Sequence, residues 1–425
     1  MNYKESLEYI SSVSWKGSRP GLERITRLMK LLGNPQDQLK FIHIGGTNGK
    51  GSTAAFLSNI RRRAGYKTGL FISPFIERFN ERMQINNECI SDEELAQITT
   101  FVKPYSDSME DAPTEFELIT AIAFIYFINN NCDIVVLEVG MGGEFDATNI
   151  INAPELAILT SIGLDHMDYL GDTIEKIAQT KAGIIKENCD VVLYKQSEEV
   201  QAVIEARCRE QGARLYISEP EELKLTDADI FHQTFASPYG ELTVTLPAQY
   251  QKNNLAAVLK SVEVLRNKNY TISSRNITDG LLDTRWPGRF EILRERPLFI
   301  ADGAHNPQGM EAAVKSLKAL FPGKKIILLL GILSDKDYRQ MLDMILPLAK
   351  AVVCTSPPSP RALSAQMLKT EVMKRADVDA VAAENIRDAV NAALRTAAPE
   401  DIICAIGSLY MIGEIKTSLK NGDRK

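Results

Sequence analysis

The chain has 425 residues, of which 44% are hydrophobic and 24% are charged, and its formal net charge is −6. This length exceeds the size at which a single hydrophobic core usually stops growing, so we expect two domains. With 49 basic against 55 acidic residues, the chain lacks the basic surplus of nucleic-acid-binding proteins, and we expect no nucleic-acid partner.

The cysteines and the N-terminus indicate the compartment. The six cysteines lie far apart and form no C-x-x-C pair, which argues against a zinc ribbon or a disulfide framework. The N-terminus, MNYKESLEYISS, is charged and lacks the apolar core of a signal peptide. The longest apolar run, 118–128, is too short for a bilayer, which needs about twenty residues. We therefore expect a cytoplasmic protein with no membrane partner.

The chain begins with two predicted amphipathic helices, over 5–10 and 21–32, separated by a turn at 18–21. The next element differs. The apolar run 41–44 is too short for a helix and rich in β-branched residues, so it predicts a buried strand. The glycine-rich turn GGTNGKGST comes next, at 45–53, and the apolar period beyond it predicts a helix over 53–64.

This turn has the composition of a phosphate-binding loop. Its glycines let several backbone N–H groups point at one anion, Lys50 adds a positive charge, and Ser52 or Thr53 offers a hydroxyl for Mg²⁺. The following helix directs its positive end to the same place. The strict G-x-x-x-x-G-K-[ST] pattern is not met, since Ile44 replaces its first glycine and Gly51 follows the lysine. The residue sequence of the loop still favours nucleotide binding over an ordinary glycine-rich turn.

Beyond the loop, predicted strands and helices alternate, which calls for a parallel sheet with crossover helices. Strands are predicted over 67–72, 133–139, 156–161 and 191–194, with helices starting at 91 and running over 114–128, 172–182 and 198–211. No regular period describes 76–90. A period-two segment between 229 and 247, with a turn at 237–240, predicts an antiparallel hairpin. Helices are then predicted over 249–267 and 275–283.

The segment RWPGR at 285–289 breaks the helical pattern and indicates a domain boundary. In the rest of the chain, predicted strands and helices alternate again. The strands are near 297–301, 326–330, 351–355 and 402–406, and the helices are near 308–320, 336–349, 364–375, 384–397 and 409–420. We therefore expect an α/β protein with a P-loop parallel-sheet domain over 1–294, which contains the hairpin, and a smaller Rossmann-like domain over 295–425.

Two residues of the first domain are candidate Mg²⁺ ligands. Glu138 ends a buried strand, where P-loop proteins place a carboxylate for Mg²⁺, although strand-end carboxylates also often face solvent. His166 comes after the strand 156–161, which leads to the same sheet edge. A loop histidine between acids is more often structural, but at this edge it becomes a candidate metal ligand.

Two further groups allow more than one interpretation. Lys181 lies near the end of a predicted helix, where residue chemistry alone favours a simple interaction with the negative helix end. The motif DGAHNP at 302–307 comes after a strand and opens a helix, which predicts Asp302 and His305 at the carboxyl edge of the second sheet, where ligands bind. Capping of that helix by Asp302 and Asn306 is the alternative, and both roles are compatible.

Together, the motifs of this chain resemble those of the folylpolyglutamate synthases of the Mur ligase superfamily, including the bifunctional dihydrofolate synthase form. The matching blocks cover nearly the whole chain in the family's order, and the glycine after the loop lysine is typical of this family. The blocks are GTNGKGS (46–52), SPF (73–75), RFNER (78–82), TEFE (114–117), LEVGMGGEFDATN (137–149), LDHMDYLG (164–171), KAGIIK (181–186), RWPGRFE (285–291), DGAHNP (302–307), GILSDKDY (331–338) and GSLY (407–410).

The resemblance implies an ATP-dependent ligase with a Mur-ligase-like nucleotide domain, and it assigns roles to individual residues. It implies that Lys50, Lys181, Asp302 and His305 are catalytic. It implies nucleotide contacts from Thr47, Asn48, Gly49, Lys50, Gly51, Ser52, Asn254, Arg289 and Asp302. It implies Mg²⁺ ligation by Ser73, Glu138 and His166. It places Asp302, His305 and Ser408 at a glutamate site, and Phe75, Arg82 and Phe116 beside a folate pocket.

The resemblance also implies a reaction. The terminal carboxylate of a folate, or of dihydropteroate, is phosphorylated by ATP, and the amine of L-glutamate attacks the acyl phosphate. Lys181 is implied to be N6-carboxylated, which turns a cation into an anionic oxygen ligand beside Mg²⁺. We expect a monomer. Another Mur-type ligase and a P-loop switch module stay as alternatives, whereas a Rossmann oxidoreductase is disfavoured because no G-x-G-x-x-G comes after the first strand.

Overall fold

The computed structural model describes residues 1–13, 17 and 19–422, without the side chains of 421 and 422. The turn predicted at 18–21 begins at Ser18, which lies outside the described residues. The α-helices are α1 (Tyr3–Ser11), α2 (Glu23–Leu31), α3 (Lys50–Arg63), α4 (Asp92–Asp107), α5 (Glu115–Asn129), α6 (Met167–Leu170), α7 (Ile174–Ala182), α8 (Glu198–Glu210), α9 (Gln251–Asn267), α10 (Ser274–Asp283), α11 (Pro307–Leu320), α12 (Tyr338–Ile345), α13 (Ala365–Met373), α14 (Ile386–Thr396) and α15 (Ile412–Gly422). The strands are β1 (Phe41–Gly45), β2 (Thr68–Phe71), β3 (Met83–Ile85), β4 (Glu88–Cys89), β5 (Ile134–Glu138), β6 (Leu156–Leu159), β7 (Asp190–Leu193), β8 (Arg214–Ile217), β9 (Lys224–Ala228), β10 (Gln233–Ser237), β11 (Gly240–Val244), β12 (Glu291–Glu295), β13 (Leu298–Asp302), β14 (Ile326–Leu330), β15 (Ala349–Cys354), β16 (Ala380–Ala382) and β17 (Ile402–Ile406).

The chain forms two compact units. Unit 1 comprises Met1–Lys224, Ala236–Leu242 and Lys252–Thr284, and unit 2 comprises Leu225–Phe235, Thr243–Gln251 and Arg285–Lys425. The assignment of nucleotide binding to 1–294 and of glutamate binding to 295–425 stays a prediction.

Unit 1 is built on an eight-stranded sheet with the order β4-β3-β2-β5-β1-β6-β7-β8. The six strands from β2 to β8 in this order are parallel, while β3 and β4 extend one edge in antiparallel pairing. The central strands β1, β5, β6 and β7 are buried along their whole length, as their continuous apolar sequences predict. Phe41 and Phe71 pack in one core with Phe124 and Phe127 of α5.

Helix α5 shows how the sequence specifies one of these elements. Its residues are apolar on all sides, and most of them are buried, so the helix lies inside the unit rather than at its surface. Its start is a capping box: Thr114 Oγ1 accepts from Glu117 N, and Glu117 Oε2 accepts from Thr114 N at 2.7 Å. Arg24 Nη2 lies 3.1 Å from Glu117 Oε1, so the buried carboxylate is also neutralised.

Unit 2 contains a six-stranded sheet with the order β12-β13-β17-β14-β15-β16. All its strands are parallel except β12, which pairs with β13 in antiparallel fashion at one edge. Apolar clusters cover both of its faces, since neighbouring strand residues such as Leu328 and Leu329 belong to different clusters. This arrangement is the predicted Rossmann-like sheet.

Several short elements were not predicted. The segment 76–90 was expected to be irregular, which is wrong: it contains β3 and β4, joined by Asn86 and Asn87 with φ of 52° and 72°. Asparagine adopts this left-handed conformation in tight hairpin turns, so the Asn-Asn pair was an overlooked signal. The sequence also did not reveal β8, β9, β12 and β16. Their residues are mostly exposed or half-buried, so these strands lack the apolar pattern of the central ones.

Several helix boundaries also differ from the prediction, and two of the differences have a clear cause. Helix α3 begins at Lys50 rather than at Thr53, because Gly49 serves as its N-cap with a φ of 94°. The helix predicted over 336–349 ends at Ile345 and continues as a short 3₁₀ turn that contains Pro347.

The predicted hairpin corresponds to β10 and β11, which are neighbours in a three-stranded sheet with β9. Among the described residues, no helix combines the length and the apolar character that crossing a membrane requires.

Candidate active site

The glycine-rich loop comes directly after β1, at the place in the sheet of unit 1 where the connections change direction. Strand β1 lies between β5 and β6, and Ile44 pairs with Glu138 on one side and Ile158 on the other. From β1 the chain runs through α3 to β2, which lies towards the β4 edge of the sheet. From β6 it runs through α7 to β7, which lies towards the β8 edge. In open α/β sheets, ligands bind at the carboxyl ends of strands at such a point.

Two glycines set the shape of this loop. Gly46 has a φ of 138°, and a Cβ there would lie 1.9 Å from Thr160 Oγ1. Gly49 has a φ of 94°, and a Cβ there would lie 2.6 Å from Asn254 Oδ1. Both positions therefore exclude a side chain, because the backbone conformation and the space available each favour glycine. The predicted residue Asn254 is thus placed directly against the loop.

Thr47 and Asn48 attach the loop to the segment after β6. The N–H groups of Thr47 and Asn48 donate to Ser161 O at 2.7 and 3.3 Å. Thr47 Oγ1 also donates to Gly163 O at 3.0 Å. These bonds fix the loop, and a nucleotide contact of Thr47 and Asn48 stays a prediction.

Two lysines converge on one carbonyl of the loop. Lys50 Nζ donates to Gly46 O at 3.2 Å and to Thr47 O at 3.3 Å, and Lys181 Nζ donates to Gly46 O at 3.0 Å. Lys181 is buried, and burial lowers its pKa to about 7, with the positive charge of Lys50 adding to the effect. All three of these bonds go to backbone carbonyl oxygens and none goes to a carboxylate. The loop therefore gathers positive charge, which suits an anionic ligand.

The environment of Lys181 differs from the interpretation based on residue chemistry alone. Lys181 does lie in the last turn of α7, as predicted. Lys181, however, is only 3% exposed, and its ammonium group bonds to the loop rather than interacting at a solvated helix end. A sequence pattern shows that a lysine is near a helix terminus but not that the group is buried beside another cation.

The first turn of α3 contains the hydroxyl groups of the loop. Ser52 and Thr53 are buried, and Thr53 Oγ1 lies 3.4 Å from the hydroxyl of Tyr194. The hydroxyl of Tyr194 in turn donates to Asn254 Oδ1. Tyr194 was not predicted as a site residue, although it ends the strand expected over 191–194 and therefore lies at the same sheet edge.

The structure brings two of the three predicted Mg²⁺ ligands together. Ser73 N donates to Glu138 Oε2 at 3.1 Å, and the carboxylate of Glu138 is buried at the end of β5. Arg82 Nη1 donates to Ser73 Oγ at 3.1 Å, which places a third predicted residue beside them. His166 lies on the loop after β6, has a φ of 50°, and its side chain is 34% exposed.

The donors at this place fit a magnesium site of the kind found in nucleotide-binding proteins. The described residues hold no group of three or more His, Cys, Asp or Glu side chains that could form an all-protein metal cage. Mg²⁺ at nucleotide sites is instead bound by one or two carboxylates, with water and phosphate oxygens as the other ligands. Glu138 supplies one buried carboxylate, and it lies on the strand next to β1, which leads into the loop.

The residues expected beside a folate pocket form an aromatic and cationic cluster. The guanidinium carbon of Arg82 lies 5.2 Å from the ring centroid of Phe75 and 5.7 Å from that of Phe79. Phe116 packs against the turn after β5, since a Cβ on Gly140 would lie 2.5 Å from its ring. Phe75 and Arg82 are thus placed together, and Phe116 lies next to the segment after Glu138.

In unit 2, Asp302 is held by three donors. Its Oδ2 accepts from Phe290 N at 2.9 Å and from the hydroxyl of Tyr250 at 2.8 Å, and its Oδ1 accepts from Ala304 N at 2.8 Å. Burial raises the pKa of Asp302, while the charge of Arg289 opposes this shift. Tyr250 was missed, because nothing in a helix-start sequence shows that it reaches a carboxylate more than fifty positions later.

His305 and Ser408 occupy neighbouring turns of the same unit. Asp302 pairs with Ile406, so β13 and β17 end side by side, and a Cβ on Gly303 would lie 1.8 Å from Leu409 Cδ1. His305 Nδ1 lies 2.8 Å from Gly303 O, and because a carbonyl only accepts, this nitrogen carries the proton in that contact. Ser408 is 1% exposed.

The structure shows that Asp302 and Asn306 of the DGAHNP motif have different local roles. Asn306 is the N-cap of α11, with its side chain accepting from Gly309 N at 2.8 Å. Asp302 does not cap this helix but accepts hydrogen bonds from Phe290, Tyr250 and Ala304. The motif therefore combines a capping residue with a buried carboxylate at the sheet edge.

Comparisons with known proteins agree with this architecture. The Mur ligase middle domain matches residues 44–262, and the Mur ligase glutamate ligase domain matches residues 288–409. The chain is 35% identical to the dihydrofolate synthase/folylpolyglutamate synthase of Bacillus subtilis, over 98% of this chain and 99% of that protein. The chain belongs to the folylpolyglutamate synthase/dihydrofolate synthase family of Mur ligases.

Solved structures of this family have the same fold. The folylpolyglutamate synthase of Mycobacterium tuberculosis complexed with ADP and AMPPCP matches with a TM-score of 0.88 and 31% identity, over 98% of each chain. Escherichia coli FolC in complex with DHPP and ADP matches with a TM-score of 0.87 and 29% identity, over 100% of this chain and 99% of that one. The predicted family and the predicted fold class are thereby confirmed.

Proposed function

We propose that the protein uses ATP to join the amino group of L-glutamate to the terminal carboxylate of a folate. The observation that carries this proposal is the convergence of Lys50 and Lys181 on the carbonyl of Gly46, at the carboxyl end of β1. Family relatives named as folylpolyglutamate synthases, some solved with ADP, match the chain over nearly its whole length.

The reaction needs a phosphoryl transfer because a carboxylate is a poor acyl donor. Its leaving group would be oxide. In the proposed path a carboxylate oxygen attacks the γ-phosphorus, ADP leaves, the glutamate amine attacks the acyl carbon, and phosphate departs with that carboxylate oxygen. Lys50 and the N-terminal turn of α3 would bind the phosphate groups and stabilise the charge on the phosphoryl group in transfer. Gly49, Gly51 and Ser52 would contribute backbone and hydroxyl contacts.

We assign Mg²⁺ binding to Glu138, Ser73 and His166. A bound Mg²⁺ supplies charge neutralisation on the phosphate oxygens. The buried carboxylate of Glu138 is oriented by the hydrogen bond from Ser73 N, and the hydroxyl of Ser73 accepts a hydrogen bond from Arg82. Glu138 and Ser73 would therefore be positioned before the ion and the nucleotide arrive.

We propose that Lys181 is carboxylated in the active protein. Only a neutral amine attacks CO₂, and a pKa of about 7 leaves about half of this amine neutral at pH 7. The neutral amine forms an N–C bond with CO₂ and releases one proton, so that an uncharged amine becomes an anionic carbamate. The product would remove the repulsion between Lys181 and Lys50 and provide oxygen ligands at the loop.

We place glutamate binding in unit 2, at Asp302, His305 and Ser408. The turns that carry them lie at the adjacent ends of β13 and β17. Asp302 is held in one orientation by Phe290 N and Tyr250, which suits a carboxylate that must orient a partner rather than move. Arg289, whose charge acts on Asp302, and Asn254 at the loop would both contact ATP.

The acceptor would bind at Phe75, Arg82 and Phe116. Aromatic rings stack on flat heterocycles, and the guanidinium of Arg82 would pair with an acidic substrate. We propose dihydropteroate as a second acceptor, because the Bacillus subtilis relative is named dihydrofolate synthase/folylpolyglutamate synthase. We expect a cytoplasmic monomer, and the six cysteines, which are all free, fit a reducing compartment.

An ADP-release assay with glutamate and either tetrahydrofolate or dihydropteroate tests the proposed function. We expect release with at least one acceptor, and release that depends on glutamate. The Lys176→Ala variant is a control, since Lys176 is an exposed lysine that pairs with Asp172 and lies on the same helix as Lys181. The proposal is wrong if neither acceptor supports glutamate-dependent release while the protein is folded.

A further inference from the structure

Helix α3, which begins at the phosphate-binding loop, is in direct backbone contact with α10. A Cβ on Gly280 of α10 would lie 2.6 Å from Ile60 Cα and 2.7 Å from Ile60 N. Such distances leave no room for any side chain, so the two helices touch through their backbones at this point. Gly280 is buried within α10. The packing therefore depends on glycine at this position.

The end of α10 is attached to the end of α3 by ion pairs. Asp283 Oδ2 accepts from Arg62 Nη2 and from Arg63 Nε, both at 2.5 Å, and Asp283 Oδ1 accepts from Arg63 Nη2 at 2.7 Å. The bonds from Arg63 hold the pKa of Asp283 below its ordinary value. Asn276 Nδ2 donates to Arg63 O at 2.7 Å, so a second residue of α10 satisfies a terminal carbonyl of α3.

The start of α10 is attached to the same region. The guanidinium carbon of Arg61 lies 3.8 Å from the ring centroid of Tyr66 and 4.1 Å from that of Tyr270. Arg61 is fully buried, and its three guanidinium nitrogens have no hydrogen-bond partner among the described residues. Thr271 N donates to the hydroxyl of Tyr66 at 3.0 Å. The segment between α9 and α10 is thus held by the stacking of Tyr270 on the buried guanidinium of Arg61 and by the hydrogen bond from Thr271 N to Tyr66.

Helix α10 lies immediately before the last passage of the chain from unit 1 to unit 2. Asp283 is the last residue of the helix, and the passage falls between Thr284 and Arg285. Thr284 is buried, and its Oγ1 donates to Gly280 O at 2.8 Å. Helix α3 has 14 residues and is therefore about 21 Å long. The Asp283 contacts lie at its far end from the loop, so they hold the connector without touching the nucleotide site.

We infer that Asp283 is a positioning residue for ligation. It fixes the start of the connector to unit 2, the segment that begins at Thr284, to α3, the helix that begins at the phosphate-binding loop. This inference rests on the proposed function, since it assigns glutamate binding to unit 2. Loss of the Asp283 carboxylate frees the connector at Thr284, while the loop and its lysines keep their contacts. Catalysis with glutamate should then suffer, and nucleotide binding should not.

The test compares Asp283→Ala, the conservative variant Asp283→Glu and the control Asp279→Ala. Asp279 lies one turn earlier on α10 and pairs with the exposed Arg275 of the same helix. Its charge also acts on Arg63, so Asp279→Ala controls for the loss of a negative charge near α3 without the loss of the Asp283 bonds. For each variant, hydrogen exchange of the amides of 284–286 and 288, ADP affinity by calorimetry, and kcat/KM for glutamate are measured.

We expect Asp283→Ala to speed exchange at the amides of 284–286 and 288 and to lower kcat/KM for glutamate roughly tenfold, below the hundredfold loss that a misplacement of about 1 Å can cause. ADP affinity should stay within about twofold of wild type, and Asp283→Glu should restore most of the loss. Unchanged exchange, or an ADP affinity that falls as much as catalysis does, overturns the inference. If the wild-type protein itself shows no glutamate-dependent turnover, the proposed function fails, and hydrogen exchange alone decides the role of Asp283.

Discussion

The glycine-rich loop of unit 1 and the Asp302 turn of unit 2 satisfy their charges in opposite ways. At the loop, two lysines share the carbonyl oxygen of Gly46, and burial lowers the pKa of Lys181 to about 7. At the turn, one carboxylate receives three hydrogen bonds from its own unit. The loop therefore gains most from an arriving anion, whereas the turn is complete before any substrate binds. The proposed phosphate site would therefore be stabilised by its ligand, whereas the proposed glutamate site is held in place by hydrogen bonds of its own unit.

The largest effect is expected from removing the loop cation. Lys50→Ala should lower the rate of glutamate-dependent ADP release by about three orders of magnitude, because the charge on the transferring phosphoryl group loses its main protein partner. The control Lys176→Ala should stay near wild type. Near-normal turnover of Lys50→Ala would show that this loop is not the phosphate site.

A smaller effect is expected at the preorganised turn. Asp302→Asn places an amide among three donors, so at least one of the N–H or O–H groups of Phe290, Tyr250 and Ala304 loses its acceptor. An unsatisfied buried donor costs about 1–3 kcal/mol, and we expect a lower melting temperature together with a roughly hundredfold loss in kcat/KM for glutamate.

Asp335→Asn is the matched control for that variant, since Asp335 pairs with Arg361 at the surface of the same unit. Both quantities should stay near their wild-type values in this control. If Asp302→Asn retained wild-type stability, the turn would not be preorganised by these bonds.

The pH dependence of Lys181 sharpens the comparison further. Its pKa is lowered from 10.5 to about 7 in the folded state, so between these values the unfolded chain binds more protons than the folded one. The free energy of unfolding of the ligand-free protein should therefore rise with pH from about 7 to 10.5. Lys181→Met should lack this rise. The difference is measured by denaturant unfolding at several pH values, and parallel curves for both proteins would contradict the depressed pKa.

The smallest effect is expected from the helix cap next to the turn. Asn306→Ala removes the acceptor for Gly309 N and should destabilise the protein by about 1 kcal/mol, whereas Asn306→Ser should retain most of the stability. Asp302 keeps its three donors in both variants. Thermal unfolding separates them, and equal losses in Ala and Ser would argue against a capping role.

The central sheet strands and the loop could be predicted because their residues carry the signal themselves. Strand β5 is a run of buried apolar residues that ends in Glu138, and the glycines of the loop stand where side chains would collide with Thr160 and Asn254. Short edge strands such as β8 and β16 could not be predicted, because their exposed residues take their conformation from the neighbouring strand.

The partners within the site were harder to predict than its main residues. Tyr194 and Tyr250 reach Asn254 and Asp302 only after the chain has folded, so sequence spacing gives no sign of these bonds. Lys181 illustrates the same limit, since its place near a helix end was visible but its burial beside Lys50 was not. Such features arise from tertiary packing, which acts on residues far apart in sequence.

The central claim, that ATP activates the acceptor carboxylate as an acyl phosphate, is tested most directly by isotope transfer. The acceptor is prepared with ¹⁸O in its terminal carboxylate and incubated with the protein, ATP and glutamate. The account predicts one ¹⁸O atom in the phosphate released for each amide bond formed. Amide product accompanied by unlabelled phosphate would contradict it.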